Sequence, residues 1–345
     1  MSSPTPFSSL DLQAALLSNL ADIGYAEMTL VQAETLPHLL GGADVLARAK
    51  TGSGKTAAFG LGLLHRLDAS RFRSQALVLC PTRELADQVS KEIRRLARTI
   101  GNVKILTLCG GVPLGPQLAS LQHSPHVIVG TPGRVLKHLR QGTVALGELK
   151  TLVFDEADRM LDMGFADELN AILEFLPRDR QTLLFSATYP DGIAAISKRV
   201  QRDPVIVDVT DDEQPAHIEQ RWCSVTRENR NPELVRALRA WGGALNLVFC
   251  NTKVDCAEVA DYLNSEKVVA VALHGDLDQG ERNEVLVRFA NRSAVVLVAT
   301  DVAARGLDVK DLDAVFNYEL PRQAEVYIHR IGRTGRAGKQ GVAVS

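Results

Sequence analysis

Residues 49–56 read Ala-Lys-Thr-Gly-Ser-Gly-Lys-Thr, and the apolar residues 152–154 lead directly into Asp-Glu-Ala-Asp at 155–158. A glycine-rich turn at the start of a helix presents backbone N–H groups that bind phosphate oxygens. In this turn we expect Lys55 to reach the outer phosphates and the Thr56 hydroxyl to bind Mg²⁺. Carboxylates at the end of a buried strand suit a metal ion and an attacking water. The two segments together predict a nucleotide-hydrolysing enzyme.

The phosphate-binding segment departs from the strict pattern at its first position, where Ala49 stands in place of glycine. Alanine at this position is used by one large family of RNA-dependent ATPases. The alternative interpretation is a Gly-Lys-Thr turn that binds no ligand. The carboxylate cluster lies in the context that a hydrolase requires, and it therefore favours the enzyme.

Length and composition limit the possible architectures and partners. A chain of 345 residues with 46% hydrophobic residues predicts two domains, each with its own core. The net charge of −2 gives no sign of a polyanionic partner, so any nucleic-acid site must be a local arrangement of Lys, Arg and backbone N–H groups. A nucleotide hydrolase that acts on something else therefore remains open at this point.

The distribution of cysteines and apolar residues bears on localisation. The five cysteines have no metal-ligand spacing, which predicts reduced thiols in the cytoplasm. The chain has no N-terminal apolar stretch typical of a signal peptide and no run of membrane-spanning length. We expect a cytoplasmic protein, a monomer, with no membrane partner.

Short apolar runs alternate with amphipathic segments along the chain. In the first half, strands are predicted at 76–80, 103–108, 127–129, 151–154 and 182–185. In the second half, they are predicted at 246–249, 268–273, 295–299, 314–317 and 341–344. Helices are expected between them, for example at 84–100 and 254–264. This alternation predicts an α/β fold with mostly parallel sheets and helices on both faces, whose ligands bind at the carboxyl ends of the strands.

The acidic, proline-containing residues 208–217 are the predicted linker between the two series of strands. The expected domains are therefore 1–207 and 218–345. The chain ends at Ser345, inside a predicted strand, so we expect the second domain to be truncated at its end.

The ordered set of motifs resembles the core of DEAD-box ATP-dependent RNA helicases over nearly the whole chain. It implies two tandem RecA-like domains that use ATP and Mg²⁺ and bind RNA. Phe7 and the segment 24–32, which includes Tyr25 and ends at Gln32, resemble the family's adenine-reading Q motif. Met28 replaces the usual proline. A glutamine amide offers one donor and one acceptor, which match the adenine edge and mismatch guanine.

The resemblance assigns roles in the first domain. Asp155 would hold Mg²⁺, through water, together with Thr56, and Glu156 would act as the base for the attacking water. Ser186 and Thr188, in Ser-Ala-Thr at 186–188, would relay hydrogen bonds between the carboxylates and the second domain. The ATP-binding residues implied are Phe7, Tyr25, Gln32, Ala49, Lys50, Thr51, Gly52, Ser53, Gly54, Lys55, Thr56 and Asp308.

His-Arg-Ile-Gly-Arg-Thr-Gly-Arg at 329–336 gives the strongest signal in the second half. Guanidinium groups suit the charge that develops on a transferred phosphoryl group. By resemblance Arg333 and Arg336 are arginine fingers, and His329 and Arg330 brace interdomain contacts. The glycines within this segment disfavour a solvated basic helix. In the segment 299–308, the resemblance implies that Asp308 contacts the ribose. For Asp301 and Arg305, the alternative to a contact with a ligand is an ion pair between the domains.

RNA-facing segments are distributed over both halves. Hydroxyls, glycine N–H groups and single arginines suit contacts with phosphates and 2′-hydroxyls, which carry no base sequence. The implied contacts are Pro81, Thr82, Arg83, Gly111, Gln117, Thr131, Gly133, Arg134, Thr252, Arg282, Thr300 and Gly306. For Thr82, Thr131 and Thr252 the alternative is a local helix cap.

These expectations combine into an ATP-dependent RNA helicase that couples RNA-stimulated hydrolysis to local strand separation or remodelling of RNA–protein particles. Cys80-Pro81 and the segments 158–165 and 200–204 resemble the bacterial DbpA-like subgroup, which implies large-subunit rRNA and pre-ribosomal particles as partners. That subgroup carries a C-terminal RNA-recognition module that this chain lacks, so specificity for an rRNA hairpin does not follow. The alternatives are a DNA-directed helicase and an ATP-gated RNA clamp or RNA chaperone with slow turnover; the intact Glu156 disfavours the clamp.

Overall fold

The computed structural model describes residues 5–50, 52–189, 191–209, 218–304, 312–335 and 340–345. These residues fall into two compact units, divided between residues 213 and 214. Most of the predicted linker, residues 210–217, lies outside the described residues. Each unit is described by itself.

The first unit is built on a seven-stranded sheet with the strand order β3-β4-β2-β5-β6-β1-β7, in which every pairing is parallel. The strands are β1 (Val45–Arg48), β2 (Ala76–Leu79), β3 (Ile105–Leu108), β4 (Val127–Gly130), β5 (Thr151–Asp155), β6 (Gln181–Ser186) and β7 (Val205–Asp208). Alternate residues of a strand face opposite sides of the sheet. Accordingly, Val78 of β2 belongs to one core and its neighbours Leu77 and Leu79 belong to another.

Helices connect these parallel strands and cover both cores. They are α1 (Ala14–Asp22), α2 (Leu30–Leu40), α3 (Lys55–His65), α4 (Arg83–Leu96), α5 (Leu114–Leu121), α6 (Pro132–Arg140), α7 (Ala157–Asp162), α8 (Ala166–Leu173) and α9 (Asp191–Val200), after a 3₁₀ turn at Phe7–Ser9. α4 illustrates how they pack. Its buried residues Leu85, Val89, Ile93 and Leu96 recur every three or four positions, so one stripe of the helix faces the sheet.

The second unit has a six-stranded, all-parallel sheet with the order β10-β11-β9-β12-β13-β8. Its strands are β8 (Ile218–Arg221), β9 (Asn246–Cys250), β10 (Ala270–Leu273), β11 (Val296–Thr300), β12 (Ala314–Asn317) and β13 (Gly341–Val344). Its helices are α10 (Arg230–Trp241), α11 (Lys253–Ser265), α12 (Gln279–Ala290), α13 (Asp301–Ala304) and α14 (Ala324–Ile331). Two further cores lie in this unit.

Both units share an internal strand order although their sequences show no repeat. The order β3-β4-β2-β5-β6 in the first unit corresponds to β10-β11-β9-β12-β13 in the second. In this correspondence β5 matches β12, and β2 matches β9. Positions at the carboxyl ends of equivalent strands can therefore be compared directly.

The predicted fold class is confirmed, and each of the ten predicted strands is present within two residues of its expected bounds. Three strands were not foreseen: β1, β7 and β8. Charged residues interrupt or end each of these short runs, as with Arg48, Asp208 and Glu219, so the apolar signal is weak. β7 and β8 are also edge strands, which need less apolar surface than central ones.

Candidate functional site

Three adjacent strands of the first unit bring the main motifs together. β5, β6 and β1 are neighbours in the sheet and run in parallel, so their carboxyl ends meet at one edge. The phosphate-binding segment follows β1, the carboxylate segment follows β5 and Ser-Ala-Thr follows β6. A backbone bond from Ala49 N to Ser186 O, 3.0 Å long, joins the first segment to the third.

In the phosphate-binding loop, the lysine side chain is bonded to a carbonyl of the same loop. Lys55, the first residue of α3, is 6% exposed, and its Nζ donates to Ala49 O at 2.7 Å. Gly52 and Gly54 have φ of 90° and 100°, which glycine adopts without strain. Ser53 Oγ donates to Lys50 O at 2.8 Å. A buried ammonium beside the start of a helix, where backbone N–H groups lack helical partners, suits a phosphate anion.

Gln32 ties the Q motif to this loop. Its side chain is 1% exposed; the amide oxygen accepts from Thr29 N at 2.9 Å, and Nε2 donates to Gly54 O at 3.2 Å. A Cβ on Gly54 would lie 2.5 Å from Gln32 Nε2, so only glycine permits this approach. Thr56, on the first turn of α3, is half-buried.

The rings of Phe7 and Tyr25 are in contact. Phe7 is buried, with its ring edge-on to that of Tyr25 at 6.1 Å. The Tyr25 hydroxyl donates to Glu92 Oε1 at 2.9 Å, and the Arg95 guanidinium lies over the Tyr25 ring. Burial and then the Glu92 carboxylate raise the pKa of Tyr25 to about 12. The two aromatic rings thus pack into the first core beside the segment that carries Gln32.

The carboxylate segment places three acids in different surroundings. Asp155 ends β5 and is 2% exposed. Its pKa is raised to about 7, because the effect of burial, to which Glu156 adds, exceeds the lowering by Lys55. Glu156 has φ of 54°, in the left-handed region that is strained for a non-glycine residue, and its carboxylate pairs with Arg159. The chain therefore turns sharply at Glu156 between β5 and α7.

Asp158 links this segment to Ser-Ala-Thr. Its Oδ2 accepts from Thr188 N at 2.9 Å, from Thr188 Oγ1 at 2.8 Å and from Ala187 N at 3.2 Å. Burial raises the pKa of Asp158, but these hydrogen bonds from Thr188 and a further one from Arg159 N lower it below its usual value. Asp158 is thus a charged acceptor that fixes Thr188.

The donor set fits a magnesium ion that arrives with a nucleotide. No group of three or more His, Cys, Asp or Glu that could hold a metal by itself is found in the described part of the chain. Asp155 is a buried carboxyl whose charge the Lys55 ammonium offsets only in part, and within the described residues the buried Ser186 Oγ has no hydrogen-bond partner. Mg²⁺ retains several waters and uses one or two carboxylates plus phosphate oxygens, which this arrangement accommodates.

The predicted RNA contacts of the first unit gather at the ends of β2, β3 and β4. Pro81 is buried, and Thr82 caps α4 by accepting from Leu85 N at 3.2 Å. Thr131 is the N-cap of α6 but makes no capping side-chain bond, and Gly133 is exposed. The contacts of Arg83, Gly111, Gln117 and Arg134 are described below, because they form one network.

In the second unit, the predicted RNA contacts also follow strands. Thr252 follows β9 and caps α11, accepting from Asp255 N at 3.1 Å. Thr300 ends β11, and its hydroxyl accepts from Ala303 N at 3.3 Å. Arg282 lies in α12 and is half-buried. The cap interpretation thus describes the geometry of Thr82 and Thr252, whose hydroxyls are bonded locally.

Arg330 lies at the centre of the second unit. It is 2% exposed and donates to both oxygens of Asp301 at 2.7 Å. It also donates to Asn317 Oδ1 at 3.1 Å, Glu319 O at 2.7 Å and Asn251 Oδ1 at 2.8 Å, and it lies over the Phe249 ring. The ion pair of Asp301, for which the alternative interpretation placed the partner in the other domain, is thus formed with Arg330 of its own unit.

The remaining residues of the 329–336 segment differ in exposure. His329 is exposed on α14, whereas Arg333 is 9% exposed just after that helix. Four predicted site residues, Thr51, Gly306, Asp308 and Arg336, lie outside the described residues, as does Arg305.

Sequence reasoning gave no separate role to Asp158, Arg159, His138 or Asn317. Asp158 belongs to the Asp-Glu-Ala-Asp segment, but its hydrogen bonds to Ala187 and Thr188 exist only because β5 and β6 are neighbours in the sheet. The others contact partners that are distant in sequence or one helical turn away, as Arg159 is from Glu156. Contacts between residues distant in sequence leave no pattern in a single sequence, whereas the i,i+3 spacing of Glu156 and Arg159 is a signal that could have indicated their pairing.

Two family models match the chain. A model described as DEAD/DEAH box helicase matches residues 29–196, and one described as helicase conserved C-terminal domain matches residues 231–338. Together they include the phosphate-binding, carboxylate, Ser-Ala-Thr and 329–336 segments, whereas Phe7 and Tyr25 precede the first match.

Curated relatives match almost the whole chain. It is 59% identical over 342 residues to the ATP-dependent RNA helicase DbpA of Escherichia coli, covering 99% of this chain and 75% of that protein. It is 44% identical over 341 residues to the DEAD-box ATP-dependent RNA helicase CshA of Bacillus cereus, covering 99% of this chain and 65% of that protein.

Solved structures match as well. Saccharomyces cerevisiae Dbp5 bound to RNA and ADP BeF3 is 32% identical with a TM-score of 0.88, covering 99% of this chain and 89% of that one. A DEAD box protein from Methanococcus jannaschii is 40% identical with a TM-score of 0.59, covering 99% and 92%. Among the described residues, no helix has both the length and the apolar character needed to cross a bilayer.

Proposed function

Because this chain belongs to the DEAD-box family of ATP-dependent RNA helicases, we propose that it binds ATP where β5, β6 and β1 end and couples its hydrolysis to RNA remodelling. The observation that carries the proposal is the convergence of Lys55, Asp155 and the Asp158–Thr188 link at one sheet edge. In open α/β sheets, ligands bind at this edge.

The phosphates of ATP would displace the Ala49 carbonyl as the partner of the Lys55 ammonium. The N–H groups at the start of α3 and the loop residues Lys50, Thr51, Gly52, Ser53 and Gly54 would bind the remaining phosphate oxygens. Gln32 would read the adenine edge, since its amide still has one free hydrogen and one free lone pair beyond its bonds to Gly54 and Thr29. Asp308 would contact the ribose, as the resemblance implies.

Asp155, through water, and the Thr56 hydroxyl would hold Mg²⁺, whose charge offsets that of the phosphate oxygens. Glu156 would orient and deprotonate the attacking water. Arg159 is bonded to Glu156 Oε2, so Oε1 is the oxygen that would accept from the water. By resemblance Arg333 and Arg336 serve as arginine fingers, Ser186 and Thr188 couple hydrolysis to domain movement, and His329 takes part in that coupling. Arg330, whose guanidinium is bonded within its own unit, would act in it only indirectly, by holding the loops there.

RNA would be bound through its backbone. Support comes from the clustering of glycine N–H groups, helix starts and arginines at the ends of β2, β3 and β4, and of Thr252, Arg282 and Thr300 in the second unit. Clamping would bend one strand so that a continuous duplex no longer fits, and release would follow hydrolysis.

The substrate class that we favour within this function is large-subunit ribosomal RNA in pre-ribosomal particles. Its support is the 59% identity to DbpA together with the segments 158–165 and 200–204. We place the protein in the cytoplasm, because all five cysteines are free thiols.

The test is ATP turnover by the whole chain with single-stranded RNA, matched DNA, a large-subunit rRNA fragment and no polynucleotide. We expect stimulation by both RNAs but not by DNA, and stimulation by the rRNA fragment at a lower concentration than by the unrelated single strand would support the favoured substrate class. Lys55→Met serves as the inactive control that reveals contaminating ATPase. Equal stimulation by DNA would support the DNA-directed alternative. Tight RNA binding with ATP but no stimulated turnover would support the clamp. Full turnover without polynucleotide would refute the proposal.

A further inference from the structure

Gln117, expected from the sequence to contact RNA, is buried in the first unit. Its side chain in α5 is 7% exposed and makes three hydrogen bonds within the protein. Nε2 donates to Cys109 O at 2.9 Å, and Oε1 lies 2.9 Å from both Arg134 Nη1 and His138 Nε2. An amide bonded in this way has little capacity left for a ligand. Its position links α5 and α6 to the loop after β3.

The chemistry of these partners fixes the direction of each bond. A guanidinium only donates, so the Gln117 atom that faces Arg134 is the amide oxygen. His138 Nε2 faces the same oxygen and must therefore carry a hydrogen. Burial, and then the charges of Arg134 and Lys137, lower the pKa of His138, so the ring is neutral and its Nδ1 is an acceptor. The Thr143 hydroxyl lies 2.8 Å from Nδ1 and 3.1 Å from His138 O, so its one hydrogen is shared between these two acceptors.

The same network holds the loop after β3, which we define as the 109–112 loop. Three of its carbonyls accept from side chains: Cys109 O from Gln117, Gly110 O from Arg83 at 3.1 Å, and Val112 O from Arg134 at 2.9 Å. Gly111 has φ of 73°, and a Cβ there would overlap Arg83 Nη1, so the guanidinium occupies the space beside it.

Because its carbonyls are bonded to the protein, the 109–112 loop can offer its N–H groups to a ligand. Gly111 and Val112 are exposed, and their N–H groups have no acceptor within the described residues. Successive N–H groups around a glycine of positive φ form a concave site for an anion. An RNA phosphate is the ligand that fits both this geometry and the proposed function.

We propose that Thr143, His138 and Gln117 are positioning residues that orient Arg134 and the 109–112 loop for an RNA phosphate without touching RNA themselves. The inference rests on the proposed RNA binding. It assigns Gln117 an indirect role and gives His138 and Thr143 a role that no motif indicated. Removing a buried donor from the network leaves Gln117 Oε1 with one partner and frees the amide to rotate.

The test compares His138→Leu, His138→Gln and His126→Leu in the whole chain. His126 is the matched control, since it is also 0% exposed and bonds to Lys104 N and Ala69 O, but it lies at the start of β4, away from the 109–112 loop. For His138→Leu we expect the RNA concentration that half-saturates ATP turnover to rise by about fivefold, as for the loss of one buried hydrogen bond between neutral groups. Turnover at saturating RNA and nucleotide affinity should stay within about twofold, since groups that bind ground and transition states equally affect only half-saturation.

His138→Gln should restore most of the RNA affinity, because its amide nitrogen can occupy the place of Nε2. A double variant with Gln117→Leu should be no weaker than the weaker single variant, because both act through one network. Equal loss of RNA affinity in His126→Leu, no rescue by His138→Gln, or additive losses in the double variant would each overturn the proposal. Retained nucleotide affinity identifies folded variants. Wild-type turnover that RNA fails to stimulate would instead refute the proposed function.

Discussion

The two units place opposite chemistry at equivalent positions of one strand order. β5 ends at Asp155, and its counterpart β12 ends at Asn317. Around Asp155 lie two further acids, Glu156 and Asp158, and burial raises the pKa of Asp155 to about 7. Around Asn317 the buried Arg330 is bonded to Asp301, Asn251 and Asn317. The first unit thus offsets its three acids only in part, through Lys55 and Arg159, whereas in the second unit the buried cation is fully bonded to its partners.

This difference separates binding from support. A buried carboxyl whose charge is offset only in part is costly in the free protein, and its charged form is stabilised when a further cation binds. A buried guanidinium with every partner in place instead fixes the surrounding loops. Arg330 is bonded to Asn251 after β9, Asp301 after β11 and Glu319 after β12. Thr252 and Thr300 are the sequence neighbours of Asn251 and Asp301. The strand order that the two units share places loops at the same edge of each sheet. The residues in those loops then decide whether the edge binds a ligand or holds neighbouring loops in place.

The largest expected effect concerns the acid cluster. Glu156→Gln keeps the shape of the side chain but cannot accept a proton, so RNA-stimulated phosphate release should fall by at least about a hundredfold. Nucleotide and RNA affinities should be retained. Glu148→Gln, an exposed glutamate of the same unit, is the control. Undiminished phosphate production by Glu156→Gln would remove its assigned role as the base.

Arg330→Met tests the support role of the second unit. Loss of the guanidinium leaves Asp301 and two asparagines without their partner, which should destabilise this unit by about 3 kcal/mol. Both tryptophans, Trp222 and Trp241, lie in the second unit, so their fluorescence during urea unfolding follows it selectively. Arg230→Met is the control, because its pair with Glu319 is partly exposed and should contribute less than about 1 kcal/mol. Equal effects of the two substitutions would contradict the comparison.

The raised pKa of Asp155 makes the stability of the ligand-free first unit depend on pH. The folded state holds this proton up to about pH 7, whereas the unfolded chain releases it near its usual value of about 4. The folded state therefore binds more protons between these values, and its stability should fall by about 2 kcal/mol from pH 5.5 to 7.5. Circular dichroism follows the unfolding of both units and tryptophan fluorescence that of the second alone, so the transition seen only by circular dichroism belongs to the first unit. Asp155→Asn should remove this dependence; an unchanged dependence would assign it to another group.

The sequence predicted the fold because its apolar runs alternate with amphipathic segments, and it predicted the binding edge because the motifs follow those runs. It did not predict the partners of individual side chains. Gln117 matched an RNA-binding pattern, yet its bonds to Arg134 and His138 depend on how α5 and α6 pack. For Asp301 the alternative interpretation was a pair across domains, yet Arg330, 29 residues away, bonds to it within the same unit. Such contacts follow from tertiary packing, and local spacing does not encode them.

The smallest effect expected concerns base selection at the same edge. Gln32→Ala removes the amide that links Thr29 to Gly54 and would read adenine, so the preference for ATP over GTP should fall by roughly tenfold. Competition of the two nucleotides for the chain measures it. Gln75→Ala is the matched control, since Gln75 is also buried and its amide is bonded to Asp68 and Arg71, but it lies at the start of β2, opposite the binding edge. If both substitutions shifted the preference alike, loosening of the first unit, rather than loss of an adenine contact, would explain the change.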